Sequence, residues 1–207
     1  MAVIFARTFF VLDYSICEAA DLDWMTRTAL GFSTGILTLA RAWGMERIHS
    51  ICTKFKEQNP LFEVTQSILE KTTPNFAANL RFDRDQEIAL VTIQRPEVKN
   101  ALNAETLRDL WAHLETLESD DQIKGVVITG YEGALAGADI GELAELRTQA
   151  EAEALCLRGQ AILNQIQAYS KPIVMAVNGP VMGGGAELSM ACHGRVVGAQ
   201  TIISQPE

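Results

Sequence analysis

An α/β fold preceded by an all-α segment is the architecture this sequence predicts, and three observations carry it. Apolar runs of strand length, rich in branched residues, recur at 87–93, 125–129 and 173–177. Stretches with helix-type apolar spacing separate them, the order expected of repeated strand–helix units. The first 70 residues carry helical spacing instead.

The elements follow in order. Within 36–48, Ile36, Leu39, Ala40 and Trp43 recur on one helical face. Gly44 suits a helix stop, and Met45 to Phe55 opens a further helix. Residues 56–80 are polar, contain Pro60 and Pro74, and read as a connector with one short helix near 62–69. The run from Glu87 to Ile93 is a strand that Arg95-Pro96 ends, because proline cannot donate to a ladder. Asn103 is placed to cap a helix whose face bears Leu107, Leu110, Trp111, Leu114 and Leu117. A strand at 125–129, a turn at 132–139, helices across 140–168 and a strand at 173–177 complete the order. No internal repeat stands out.

Composition narrows the function. With 48% hydrophobic and 21% charged residues, the 207-residue chain is ordinary globular material. A net charge of −9 argues against nucleic acid or an anionic membrane as partner. Lysines and backbone amides can still bind phosphate locally. Cys17, Cys52, Cys156 and Cys192 lack metal-ligand spacing, as do His49, His113 and His193. The thiols are therefore expected reduced and no metal site is expected. Arg7 interrupts the apolar N-terminus, no basic region precedes it, and Asp13 and Glu18 follow, which argues for a cytoplasmic protein rather than a secreted one. No run reaches membrane-spanning length.

The chemistry concentrates at two glycine turns. Val126-Val127-Ile128-Thr129-Gly130 leads to Leu135-Ala136-Gly137-Ala138-Asp139-Ile140, and Ile173-Val174-Met175-Ala176-Val177 leads to Val181-Met182-Gly183-Gly184-Gly185-Ala186-Glu187. Glycine lets backbone approach a ligand closely, and a helix N-terminus adds partial positive charge. Such a place can hold a developing oxyanion beside a carboxylate. Either turn alone serves equally to pack a strand tightly on a helix, and Glu187 alone could simply complement a helix dipole.

Taken together with Arg95-Pro96, Asn100-Ala101-Leu102-Asn103, Lys171-Pro172 and Gln205-Pro206-Glu207, these motifs resemble the enoyl-CoA hydratase (crotonase) family over about residues 78–207. The resemblance implies an incomplete crotonase-like spiral of strand–helix units and the hydration of trans-2-enoyl-CoA thioesters to 3-hydroxyacyl-CoA in fatty-acid β-oxidation. It implies oxyanion donors at the Ala138 and Gly184 amides. It also implies that Glu187 and Glu207 hold the attacking water, with Glu207 exchanging the α-carbon proton. Two close carboxylates would share protons in a coupled titration. Coenzyme A contacts are implied at Lys99, Ala101, Ala136, Ala138, Asp139, Ile140 and Gly141. Lys99 could equally be a solvated surface lysine, and Asp139 reads as a helix N-cap rather than a catalytic acid. The substrate carries coenzyme A, and no covalently bound cofactor is implied.

A second resemblance covers the N-terminus. Glu18-Ala19-Ala20-Asp21-Leu22-Asp23-Trp24-Met25, then Ala29-Leu30-Gly31-Phe32 and Gly35-Ile36-Leu37-Thr38-Leu39-Ala40, resemble the C-terminal helical domain of 3-hydroxyacyl-CoA dehydrogenases. The expected organisation is thus a dehydrogenase-like helical segment at 1–58, a linker at 59–77, and a partial hydratase domain at 78–207. No Gly-x-Gly-x-x-Gly follows an N-terminal strand, so no NAD site is expected. The chain reads as a fragment of a larger bifunctional enzyme that is homo-oligomeric at full length. The alternatives are a non-catalytic crotonase-like piece binding acyl-CoA or a partner subunit, and an enoyl-CoA isomerase.

Overall fold

The structure, a computed structural model, describes residues 1–206. It divides into two compact units, Met1–Ala78 and the residues from Asn79 onward.

The N-terminal unit is helical, with α1 (Ala2–Asp13), α2 (Ala19–Thr28), α3 (Ile36–Trp43), α4 (Met45–Gln58) and α5 (Gln66–Leu69). Phe5, Phe9, Ile36, Leu37, Ile48 and Ile68 are fully buried in its core. Each such side chain contributes roughly 1.5–3 kcal/mol through removal from water. The start of α3 is set by Asp23, whose Oδ1 accepts from Leu37 N at 2.7 Å and Thr38 N at 2.8 Å. A side chain at Gly35 would collide with that carboxylate. Gly44, at φ +78°, separates α3 from α4. Residues 59–77, expected as a linker, lie inside this unit. Phe62, Val64 and Phe76 pack on its core, and Arg41 donates to the Phe76 carbonyl at 2.8 Å. The proline and polar content hid these spaced apolar contacts.

The second unit is a mixed α/β fold with a mostly parallel sheet. Its strands are β1 (Leu80–Asp85), β2 (Ile88–Ile93), β3 (Gly125–Gly130), β4 (Ile173–Val177), β5 (Pro180–Met182), β6 (Gly194–Val197) and β7 (Ile202–Ser204). The main sheet runs β1-β2-β3-β4-β6, antiparallel only at β1–β2, and β5 pairs with β7 in parallel. In β4 every second residue is buried, with half-buried residues between, as in a sheet covered on both faces. The helices are α6 (Ala104–Glu118), α7 (Ile140–Glu145), α8 (Gln149–Gln167) and α9 (Gly184–Ala191). Asn103 caps α6 by accepting from Thr106 N at 2.8 Å, and Thr148 with Glu151 forms a capping box on α8. Just past the far end of α6, Lys171 Nζ donates to the Leu117 and Asp120 carbonyls at 2.6 and 2.7 Å, adding a cationic donor where the helix dipole is negative. Among the described residues no helix is long and apolar enough to cross a membrane.

Candidate functional site

Three backbone segments meet at one end of the parallel sheet. The first leaves β2, makes a single 3-10 turn at Pro96–Val98, and brings Lys99 and Asn100 into the left-handed region at φ 53° and 59°. Such conformations are uncommon for non-glycine residues and cluster where surrounding contacts enforce them. Asn100, 2% exposed, is the enforcing contact. Its Oδ1 accepts from Arg95 N at 2.9 Å, and its Nδ2 donates to the Tyr131 and Ala134 carbonyls, both at 2.9 Å.

The second segment follows β3. Ala136 N donates to Lys99 O at 3.0 Å, Leu102 N to Gly137 O at 2.9 Å, and Asp139 N to Leu102 O at 2.9 Å. Leu102 therefore pairs with Ala138 in a single parallel bridge. Strand alternation then turns the Ala138 N–H away from Leu102. Among the described residues it donates to no acceptor.

The third segment is the glycine triplet. Gly183 sits at φ 46° and ψ −125°, a conformation suited to glycine, and its N–H donates to Ser204 O at 3.0 Å. A Cβ on Gly185 would stand 2.5 Å from Leu135 O and 2.7 Å from Ala136 O. Glycine is what lets the turns touch. A Cβ on Gly184 would stand 3.5 Å from Ala138 N and 3.9 Å from Glu187 Oε2. The Gly184 amide opens α9 and, like that of Ala138, has no acceptor among the described residues. Two undonated amides and the exposed Glu187 carboxylate thus occupy one small region.

The other expected residues fall into two groups. Lys99, Ile140 and Gly141 are exposed and Ala136 is half-buried. Ala101 and Asp139 are turned inward: Arg95 Nη1 donates to Ala101 O at 2.6 Å and Nη2 to Asp139 Oδ2 at 2.7 Å. Asp139 Oδ1 also accepts from Gly141 N at 2.9 Å, which makes it the cap of α7. The Arg95 and Asp139 side chains are only 11% and 13% exposed. Burial opposes ionisation of Asp139, but the Arg95 hydrogen bond and charge, with the Gly141 and Glu142 amides, hold its carboxyl below the ordinary value. Glu207 lies outside the described residues. Sequence reading missed the internal roles of Arg95 and Asn100, though both stand in quoted motifs. Among the described residues no group of three His, Cys, Asp or Glu side chains could hold a metal.

The profile of the family described as enoyl-CoA hydratase/isomerase matches residues 83–207, more than half of the chain. The chain belongs to the enoyl-CoA hydratase/isomerase family. It is 34% identical to a short-chain-enoyl-CoA hydratase of Clostridium acetobutylicum, over 62% of this chain and 50% of that protein. It is 40% identical to a fatty acid oxidation complex subunit alpha of Idiomarina loihiensis, over 60% of this chain and 18% of that protein. Among solved structures, an enoyl-CoA hydratase from Thermoplasma volcanium matches with a TM-score of 0.58 and 35% identity, over 62% of this chain and 52% of that one. The chain thus spans half the length of the first of these curated relatives and less than a fifth of the second. Members of this family act on coenzyme A thioesters without a bound cofactor.

Proposed function

We propose that this chain carries the hydration of trans-2-enoyl-CoA thioesters to 3-hydroxyacyl-CoA. The observation that supports it is the placement of two undonated amides, Ala138 and Gly184, beside the Glu187 carboxylate at the head of α9. Water attacks the β-carbon as Glu187 takes its proton. The π electrons move through the α-carbon onto the thioester oxygen, and the two N–H groups stabilise the resulting enolate. Loss of one such donor typically costs about 2.7–4 kcal/mol of transition-state stabilisation. The enolate collapses as Glu207, protonated at the outset, delivers a proton to the α-carbon, and the proton taken by Glu187 passes to Glu207 to restore the pair. Lys99, Ile140 and Gly141, exposed around the turn, are the proposed contacts to coenzyme A.

The place in fatty-acid β-oxidation is part of this reading, supported by the relative named as a fatty acid oxidation complex subunit. So are the dehydrogenase-like character of the N-terminal helices, a cytoplasmic location and a homo-oligomeric whole protein. Hydration of crotonyl-CoA, followed as loss of the conjugated-thioester absorbance, tests the chemistry. Glu187→Gln should lower kcat by about 10²–10⁴-fold, the usual contribution of general acid–base catalysis, with KM changed only a few-fold. A chain that binds enoyl-CoA without converting it would overturn the reading in favour of an acyl-CoA-binding module. Near-normal turnover in the variant would remove Glu187 from the mechanism.

A further inference from the structure

Resting on the amide-pair reading above, we infer that Arg95, acting through Asp139, is a positioning residue that aims the Ala138 N–H at the thioester oxygen. The Ala138 N–H has no acceptor among the described residues, so its direction depends on the peptides on either side. Both are pinned to one residue: Gly137 O accepts from Leu102 N, and Asp139 N donates to Leu102 O, each at 2.9 Å. The aim of the donor is therefore the position of Leu102 relative to Asp139.

Arg95 fixes that relation with one rigid group. Nη1 grips the carbonyl of Ala101, the residue before Leu102, at 2.6 Å. Nη2 grips the carboxylate of Asp139, the residue after Ala138, at 2.7 Å. A planar guanidinium holds its two terminal nitrogens at fixed separation, so it acts as a gauge between the two segments. Its Nε is buried with no hydrogen-bond partner among the described residues. An unmet buried donor calls for an explanation, and here the side chain is seated for its two terminal grips rather than for its own satisfaction. Asn100 supports the same gauge by accepting from Arg95 N while tying the turn to the Tyr131 and Ala134 carbonyls. Oxyanion donors act within a narrow range, about 2.7–3.1 Å from the oxygen, so a small loosening of this frame is read in catalysis before it is read in binding.

The test compares the full chain with Arg95→Lys, which keeps the charge but cannot span both oxygens, and Asp139→Asn, which keeps an oxygen for Gly141 N–H. The probe is butyryl-CoA labelled with carbon-13 at the thioester carbonyl, read by infrared difference spectroscopy, with affinity measured by calorimetry. The parent should lower the carbonyl stretching frequency relative to water. Each variant should bind the probe nearly as tightly but lose most of that shift. Its hydration kcat should fall at least about tenfold with little change in KM, short of the about 10²–10³-fold expected for losing a donor outright. Should Arg95→Lys fail to fold, Asp139→Asn carries the comparison. A full shift and normal kcat in a folded variant would overturn the inference alone. Loss of probe binding together with the shift would overturn it in favour of a general structural role. A parent that produces no shift would overturn the amide-pair reading and this inference with it.

Discussion

At the scale of single residues, Arg95 and Asp139 form a nearly buried ion pair at the site, 2.7 Å apart. Removing one partner of a nearly buried ion pair leaves an uncompensated charge, so Arg95→Ala should cost about 3–5 kcal/mol in denaturant unfolding. The pH dependence has a definite sign. The folded Asp139 carboxyl lies below its ordinary value, so its stabilisation is present above the unfolded value of about 3.9. That stabilisation is lost as pH falls through the folded value, because the unfolded chain binds the proton first. Asp139→Asn should therefore be less stable than the parent at pH 7 and approach it in urea melts near pH 3. A difference that persists unchanged at low pH would show that the charge is not what stabilises the turn.

At the scale of elements, the two glycine turns work because β-strand ends can touch without side chains between them. Gly185 and Gly184 separate stability from function. A methyl at Gly185 would press on the Leu135 and Ala136 carbonyls, so Gly185→Ala should lose about 1–3 kcal/mol, as overpacked sites do. Among the described residues a methyl at Gly184 meets nothing closer than Ala138 N at 3.5 Å, an ordinary contact. Gly184→Ala should melt like the parent yet hydrate crotonyl-CoA more slowly, because the methyl stands beside both amides. Parallel thermal melts and turnover assays decide between these outcomes. The strands at 88–93, 125–130 and 173–177 were legible because each is a branched apolar run. β1 was not, since five of its six residues are exposed and an edge strand needs no apolar alternation. β5, β6 and β7 are three or four residues long, too short for periodicity to mark them.

For the whole molecule, surface chemistry gives a direct expectation. Among the described residues β6 has a neighbour on one side only in the main sheet. Val196, Val197, Ile202 and Ile203 on β6 and β7 are each more than half exposed. An apolar edge strand is a template for pairing with another chain. Light scattering should therefore show concentration-dependent association of this chain, reduced in a Val196→Lys, Ile202→Lys double variant. A monodisperse parent at all concentrations, or association untouched by the lysines, would move the sticky surface elsewhere.

The sequence by itself determined the α/β class, the family motifs, and the places where only glycine would serve. Those follow from local physics: strand-forming runs, proline breaks, caps such as Asn103, and glycine's tolerance of close backbone approach. Tertiary structure alone decided what those motifs hold. Arg95 and Asp139 stand 44 residues apart, and Asn100 reaches carbonyls 31 and 34 residues away. No local pattern signals such partners, because the same Arg-Pro or Asn-Ala-Leu reads equally well as a strand end or a loop. Packing likewise drew residues 62, 64, 68 and 76 into a helical core that their polar neighbours concealed. Propensity is written residue by residue, whereas a buried charge finds its partner only when the chain closes on itself.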